Sequence, residues 1–262
     1  KQGGQMSVSI GICTSPDRIA QVAPGYAFSE LGVASTLMPL EDDVSFAPYQ
    51  AQLAALQPAI AAFNGFVAPH VKLTGPNTDW DQITTYVKNA LRRAGGLGAD
   101  VVVFGSGGAR NVPEGYEHQA AWDQLVCFLR LCADEAERNE LVVAIEPLNH
   151  RESNILNSYS EGVAMAREVD RRAVRVLADI YHFEEVGEPL EDILEAPDML
   201  AHVHLADTGR LYPGSGTYPL VQLFEIMHRI GYQGKASVEC GWGDDYTAET
   251  AAALAFLTPL AR

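Results

Sequence analysis

Short apolar runs recur along this chain, most of them separated by a stretch with helical spacing. In the second half they read LVVAIE ending at Glu146, VRVLAD ending at Asp179, AHVHL carrying His204, and ASVE ending at Glu239. Their Val, Leu and Ile content predicts buried strands. Earlier runs predict a strand at Ser7 to Cys13, a weaker one at Tyr26 to Gly32, a third at Ala61 to Val67 and a fourth at Asp100 to Phe104. The fifth begins at Leu141, the sixth spans Val174 to Asp179, the seventh Leu200 to Leu205 and the eighth Lys235 to Cys240. Between them, apolar spacing predicts helices at Gln50 to Ala62, Asp79 to Ala94, Tyr116 to Arg138, Leu190 to Glu195, Pro219 to Ile230 and Tyr246 to Leu257. One more runs from a Ser158 or Ser160 cap to Val169. Pro219 opens its helix and Gly231 follows its end, the asymmetry that capping favours.

Strands alternating with helices imply a parallel sheet with crossover connections. Eight such units in 262 residues match a single (β/α)8 TIM barrel; a doubly wound open sheet is the alternative. Residues 6–262 are expected to form that one domain. Residues 1–5 (KQGGQ), ahead of Met6, read as an expression remnant outside it.

Side chains alternate along a strand, so Ala144 and Glu146 share a face, as do Ser237 and Glu239. In a barrel, Glu146, Asp179, His204 and Glu239 then converge at the same end of four neighbouring strands. Each alone reads as a rim charge or a core histidine. Together, three carboxylates and an imidazole call for a divalent cation. The donors are hard oxygen with one nitrogen and no thiolate, so Mn2+ is expected first and Mg2+ or Co2+ next. Cys240 falls on the opposite face from Glu239. Glu152, His182 and Arg210 lie a few residues past these strand ends, where substrate would rest, and Arg210 could hold a polarised oxygen. Two glycine-rich loops, Gly105 to Gly108 and Pro213 to Gly216, are read as tight turns, with a phosphate cradle as the weaker alternative.

Net charge narrows the partners. With 18 Lys and Arg against 34 Asp and Glu, the chain carries −16. That disfavours nucleic acids and anionic membranes, whose recognition rests on basic residues. No apolar stretch approaches the roughly 20 residues of a membrane helix, and no leader peptide is visible. Cys13, Cys127, Cys132 and Cys240 show neither CxxC spacing nor a disulfide framework, which suits a cytoplasmic setting. Cys127 and Cys132 share a helix and are expected in its core. A homo-oligomer, dimer or tetramer, is left open.

At IEPLNHRESNILNS, ADIYHFEEVGE, HVHLADTGRLYPGSG and ASVEC the chain resembles the xylose isomerase-like sugar isomerase/epimerase superfamily. Within it the segments look most like ketose 3-epimerases of the tagatose/psicose type, with hydroxypyruvate isomerases second. The likeness runs from about Val101 to Gly241 and more loosely through the first half. It implies that Glu146, Asp179, His204 and Glu239 are the four ligands of one metal. It also implies that Glu152, His182 and Arg210 contact substrate, and that Glu146 and Glu239 form the acid/base pair. Two departures touch substrate contacts: His150 and Arg151 replace the family's Arg-aromatic pair before Glu152, and Asp207 stands where the epimerases often have Glu.

The expected activity is metal-dependent C3 epimerisation of a free ketose through a cis-enediolate. An aldose–ketose or hydroxypyruvate-type isomerase is the alternative, since the fold does not fix the reaction. Outside catalysis, a sugar-binding or partner subunit, or a C-glycoside-cleaving subunit, is the rival. A DNA-repair endonuclease of the same superfamily needs three metals and further histidines near strands three and four. Here strand four ends in GSGGAR, and His70 alone lies near strand three.

Overall fold

A computed structural model describes residues 7–262. Eight parallel strands follow one another around a closed barrel, with β8 pairing back onto β1. They are β1 (Ser9–Cys13), β2 (Phe28–Gly32), β3 (Ile60–Asn64), β4 (Val101–Phe104), β5 (Val142–Ile145), β6 (Val174–Asp179), β7 (Leu200–Leu205) and β8 (Lys235–Val238). The helices are α1 (Val33–Thr36), α2 (Asp43–Ala54), α3 (Trp80–Gly96), α4 (Gly107–Arg110), α5 (His118–Arg138), α6 (Tyr159–Val169), α7 (Ile180–Val186), α8 (Leu220–Arg229) and α9 (Tyr246–Leu260). The barrel reading is therefore correct and the open sheet is excluded.

Two apolar layers follow from strand alternation. Val102, Phe104, Val143, Ile145, Val176, Val203, Leu205, Ala236 and Val238 face the helices and build the outer core. Each Val, Leu or Ile fully buried there stabilises by about 1.5–3 kcal/mol relative to exposure. The alternate positions Phe28, Ala62, Val101, Val103, Ala144 and Leu177 fill the barrel interior. Stepping two residues further along each strand reaches Glu30, Glu146 and Asp179. Parity alone thus points them inward. Phe28 plugs the interior: a Cβ on Gly11 would lie 2.3 Å from its ring. Lys235 stands over that ring and pairs with Asp100.

Caps set where several helices begin. Asp79, Ser158 and Asp245 each accept a backbone N–H from the first turn of α3, α6 and α9. α2 corrects the expected helix at Gln50 to Ala62, beginning at Asp43 and ending at Ala54. Asp42 caps it by accepting from Ser45 N–H, and Val44 and Tyr49 point to solvent, so its apolar residues mark no single face. Its true start carried no amphipathic signal. Gly65, at φ 52°, ends β3 before the expected Val67. α7 was not foreseen, because its first turn follows directly from a strand. Cys132 is buried as expected, but Cys127 is exposed on α5. The assignment of residues 1–5 lies outside the described residues.

Both glycine-rich loops lie against residues of the candidate site. A Cβ on Gly105 would lie 2.1 Å from Glu146 Oε2, and one on Gly107 2.3 Å from the Glu152 carbonyl oxygen. These glycines admit the neighbouring site residues. α4 then carries the fully buried Arg110, which donates to the carbonyls of Phe104, Glu146 and Leu156 and ties β4 to β5. The loop through Gly214 instead wraps Asp207, whose carboxylate accepts the N–H groups of Thr208, Gly214 and Tyr218.

Candidate metal centre and active site

Glu146, Asp179, His204 and Glu239 meet at the C-terminal ends of β5 to β8. One ligand atom from each lies within 4.8 Å of all the others. Asp179 and His204 are register partners across β6 and β7, which fixes their height. His204 Nδ1 lies 3.1 Å from Glu146 Oε1 and 3.5 Å from Glu239 Oε2. Asp179 Oδ1 accepts the Tyr181 N–H at 2.8 Å and caps α7. Asp179 Oδ2 is buried with no hydrogen-bond partner among the described residues.

That orphaned oxygen, among three carboxylates on one imidazole, is what a cation would satisfy. The donor set fits a hard divalent ion. Electrostatics agree with the crowding. Burial pushes Asp179 up to about 6, with His182 opposing and Glu146 adding. Burial also opposes charge on His204, yet Glu30 and Glu239 hold its pKa well above the usual imidazole value. Glu239 is held at about 2 because His204 and Arg210 outweigh its burial.

The three residues expected to touch substrate border the same mouth. His182 Nδ1 accepts the Asn149 backbone N–H at 3.1 Å. With Nδ1 accepting, the ring proton sits on Nε2, which is buried, without a hydrogen-bond partner among the described residues and 3.6 Å from Asp179 Oδ2. Arg210 donates to Glu239 Oε2 at 2.8 Å and to Glu152 Oε1 at 3.2 Å. Its guanidinium lies 4.5 Å from the Tyr181 ring centroid. Arg210 adopts φ 60° in the turn that Asp207 organises. All seven expected residues are therefore brought together.

Sequence reasoning missed several neighbours. Asn149 holds both His182 Nδ1 and Glu152 Oε1 through its amide. Asn64, ending β3, donates to Glu239 Oε1 at 3.0 Å. Glu30 lies fully buried beneath the centre, where His204 and His202 hold its carboxyl below the usual range against its burial. An acid at the inward parity of a strand was a readable signal for Glu30. The asparagine contacts are long-range or lie in an irregular segment, made by side-chain amides that break no periodic pattern, and left none.

A D-psicose 3-epimerase of Enterocloster bolteae is 33% identical over 112 residues, covering 42% of this chain and 37% of that protein. A 3-dehydro-D-guloside 4-epimerase of Escherichia coli is 36% identical over 107 residues, 40% of this chain and 41% of that protein. The chain thus matches less than half the length of either relative. The structure superposes on a D-psicose 3-epimerase with D-tagatose from Clostridium cellulolyticum H10 with a TM-score of 0.82. That match has 22% identity and covers 97% of this chain and 100% of the other. The sequence profile of one family matches residues 22–260, nearly the whole barrel. With its eight strands closed in order, the chain belongs to the xylose isomerase-like TIM barrel family.

Proposed function

We propose that residues 6–262 form one catalytic domain, a divalent-metal-dependent sugar epimerase or isomerase that inverts C3 of a free ketose. The observation that carries this reading is the cluster of Glu146, Asp179, His204 and Glu239 within 4.8 Å, with Asp179 Oδ2 left unpartnered. The names of the relatives, both sugar epimerases, support the same class. Four free cysteines suit the reducing cytoplasm.

Those four residues would hold the ion, with Mn2+ expected first and Mg2+ or Co2+ as alternatives. When bound, the ion supplies a Lewis acid that polarises the ketose carbonyl and acidifies the adjacent C–H. Glu146 and Glu239 are the acid/base pair. One removes the C3 proton to leave a cis-enediolate, and the other returns a proton to the opposite face. Arg210 and the Nε2–H of His182 donate to the oxygen that gains charge. Glu152, oriented by Asn149, accepts from a substrate hydroxyl.

The test pairs metal analysis with exchange. After Mn2+ loading and desalting, about one ion per chain is expected. A panel of free ketoses, 3-keto glycosides and hydroxypyruvate in D2O, followed by NMR, should show deuterium entering beside the carbonyl and the C3 epimer forming. Stoichiometric metal without turnover on any sugar would leave a binding subunit, and no retained metal would overturn the centre itself.

A further inference from the structure

Glu30 is a carboxylate with no solvent contact, set in a barrel interior otherwise packed with Phe28, Ala62, Val103 and Leu177. An apolar side chain would fill this layer without the cost of burying charge. Both oxygens of Glu30 are engaged by groups from β7 and β8. Oε1 faces His204 Nε2 at 2.9 Å, and Oε2 faces His202 Nε2 at 2.8 Å and the Ser237 hydroxyl at 2.6 Å. The other nitrogen of His204, Nδ1, points up toward Glu146 and Glu239. His204 is thus held between a carboxylate below and the candidate ion position above.

We propose that Glu30 is a positioning residue for the metal centre: by accepting the Nε2–H of His204, it fixes the tautomer that leaves the Nδ1 lone pair free for the ion. The inference rests on the metal-centre reading given above. A carboxylate suits the post because it only accepts, and three donors converge on it. The negative charge behind the ring also strengthens the imidazole as a donor to a cation. His202 and Ser237 both engage Oε2 and so hold Glu30 in place, which leaves Oε1 turned to His204. The arrangement reaches across the barrel from β2 to β7 and β8, so closure of the sheet assembles it.

The experiment uses the full chain with a bare divalent ion as ligand, Mn2+ for affinity and diamagnetic Mg2+ for spectra. Calorimetric titration of wild type, Glu30→Gln and Glu30→Asp is compared with the melting temperature of each metal-free protein. Glu30→Gln keeps the shape but replaces one acceptor oxygen with a donor and removes the charge. Its Mn2+ affinity should fall by about 10- to 100-fold, with Glu30→Asp between it and wild type. Nitrogen-15 spectra of the Mg2+-loaded wild type should show His204 protonated at Nε2. Should Glu30→Gln melt lower yet bind Mn2+ as tightly as wild type, Glu30 is structural only and the proposal fails. A His204 bearing its proton on Nδ1 in the loaded protein overturns it too. Failure of wild type itself to bind Mn2+ would instead refute the metal centre on which it stands.

Discussion

Glu146 and Glu239 stand in different surroundings although both reach His204 Nδ1. Glu146 is 6% exposed and leans on Gly105, whereas Glu239 is held by Arg210 and Asn64. Glu146→Gln and Glu239→Gln should each nearly abolish epimerisation once metal is restored. One of the two should still wash the substrate proton into D2O, because the surviving glutamate can remove and return it on its own face. Near-normal turnover in both, measured by NMR, would remove the pair from the mechanism and leave His182 as the next base to try. The seven residues of this mouth were readable because polar groups close or follow apolar runs, so each appears as a break in a pattern. For Glu30 only the inward parity of an acid was readable; its role was not, since its partners His202 and Ser237 lie 172 and 207 residues away in sequence. No local pattern reports a contact made only when the barrel closes.

At the scale of elements, β6 and α7 share one residue. Asp179 ends the strand and caps the helix, giving Oδ1 to Tyr181 N–H and Oδ2 to the centre. The two roles can be separated. Asparagine caps about as well as aspartate but brings no charge. Asp179→Asn should therefore keep the metal-free melting temperature while weakening Mn2+ binding roughly 10-fold or more. Asp179→Ala should add about 1 kcal/mol of destabilisation from the lost cap, read in urea unfolding. Equal unfolding curves for the two variants would mean that the cap contributes nothing. Strands written as near-continuous apolar runs, such as β4 and β6, were legible nearly to the residue. α2 and α7 were not. One spreads its apolar side chains around its axis, and the other has only seven residues, too few for periodicity to register.

For the whole molecule, metal and proton compete for one set of groups. Burial raises Asp179 to about 6, and the surrounding carboxylates hold His204 above its usual value. Both therefore carry protons in the empty centre at pH values where ordinary side chains would not. An ion must displace them, so affinity rises with pH. We expect Mn2+ affinity to fall about tenfold per pH unit on acidification while His204 alone gives up a proton, and more steeply below about pH 6, where Asp179 joins. Calorimetry from pH 5 to 8 measures the slope, and a flat profile would contradict the assignment. At pH 7.5, Mn2+ at about 100 times its dissociation constant should stabilise the fold by about 2.7 kcal/mol.

The Phe28 plug has a consequence for traffic. With its ring pressed on Gly11 and Lys235 across its lower side, the barrel is a cup with one mouth. Under the epimerisation proposed, the sugar that enters and its epimer that leaves share a single door and a single berth. Each epimer then competes with the other for the empty cup, and accumulating product slows its own formation. Forward and reverse rates are bound together by the equilibrium between the two sugars, so no change in the walls of the cup can favour one direction overall. Changes there can alter turnover and the concentration at which each sugar fills it, but only in combinations that leave that equilibrium unchanged.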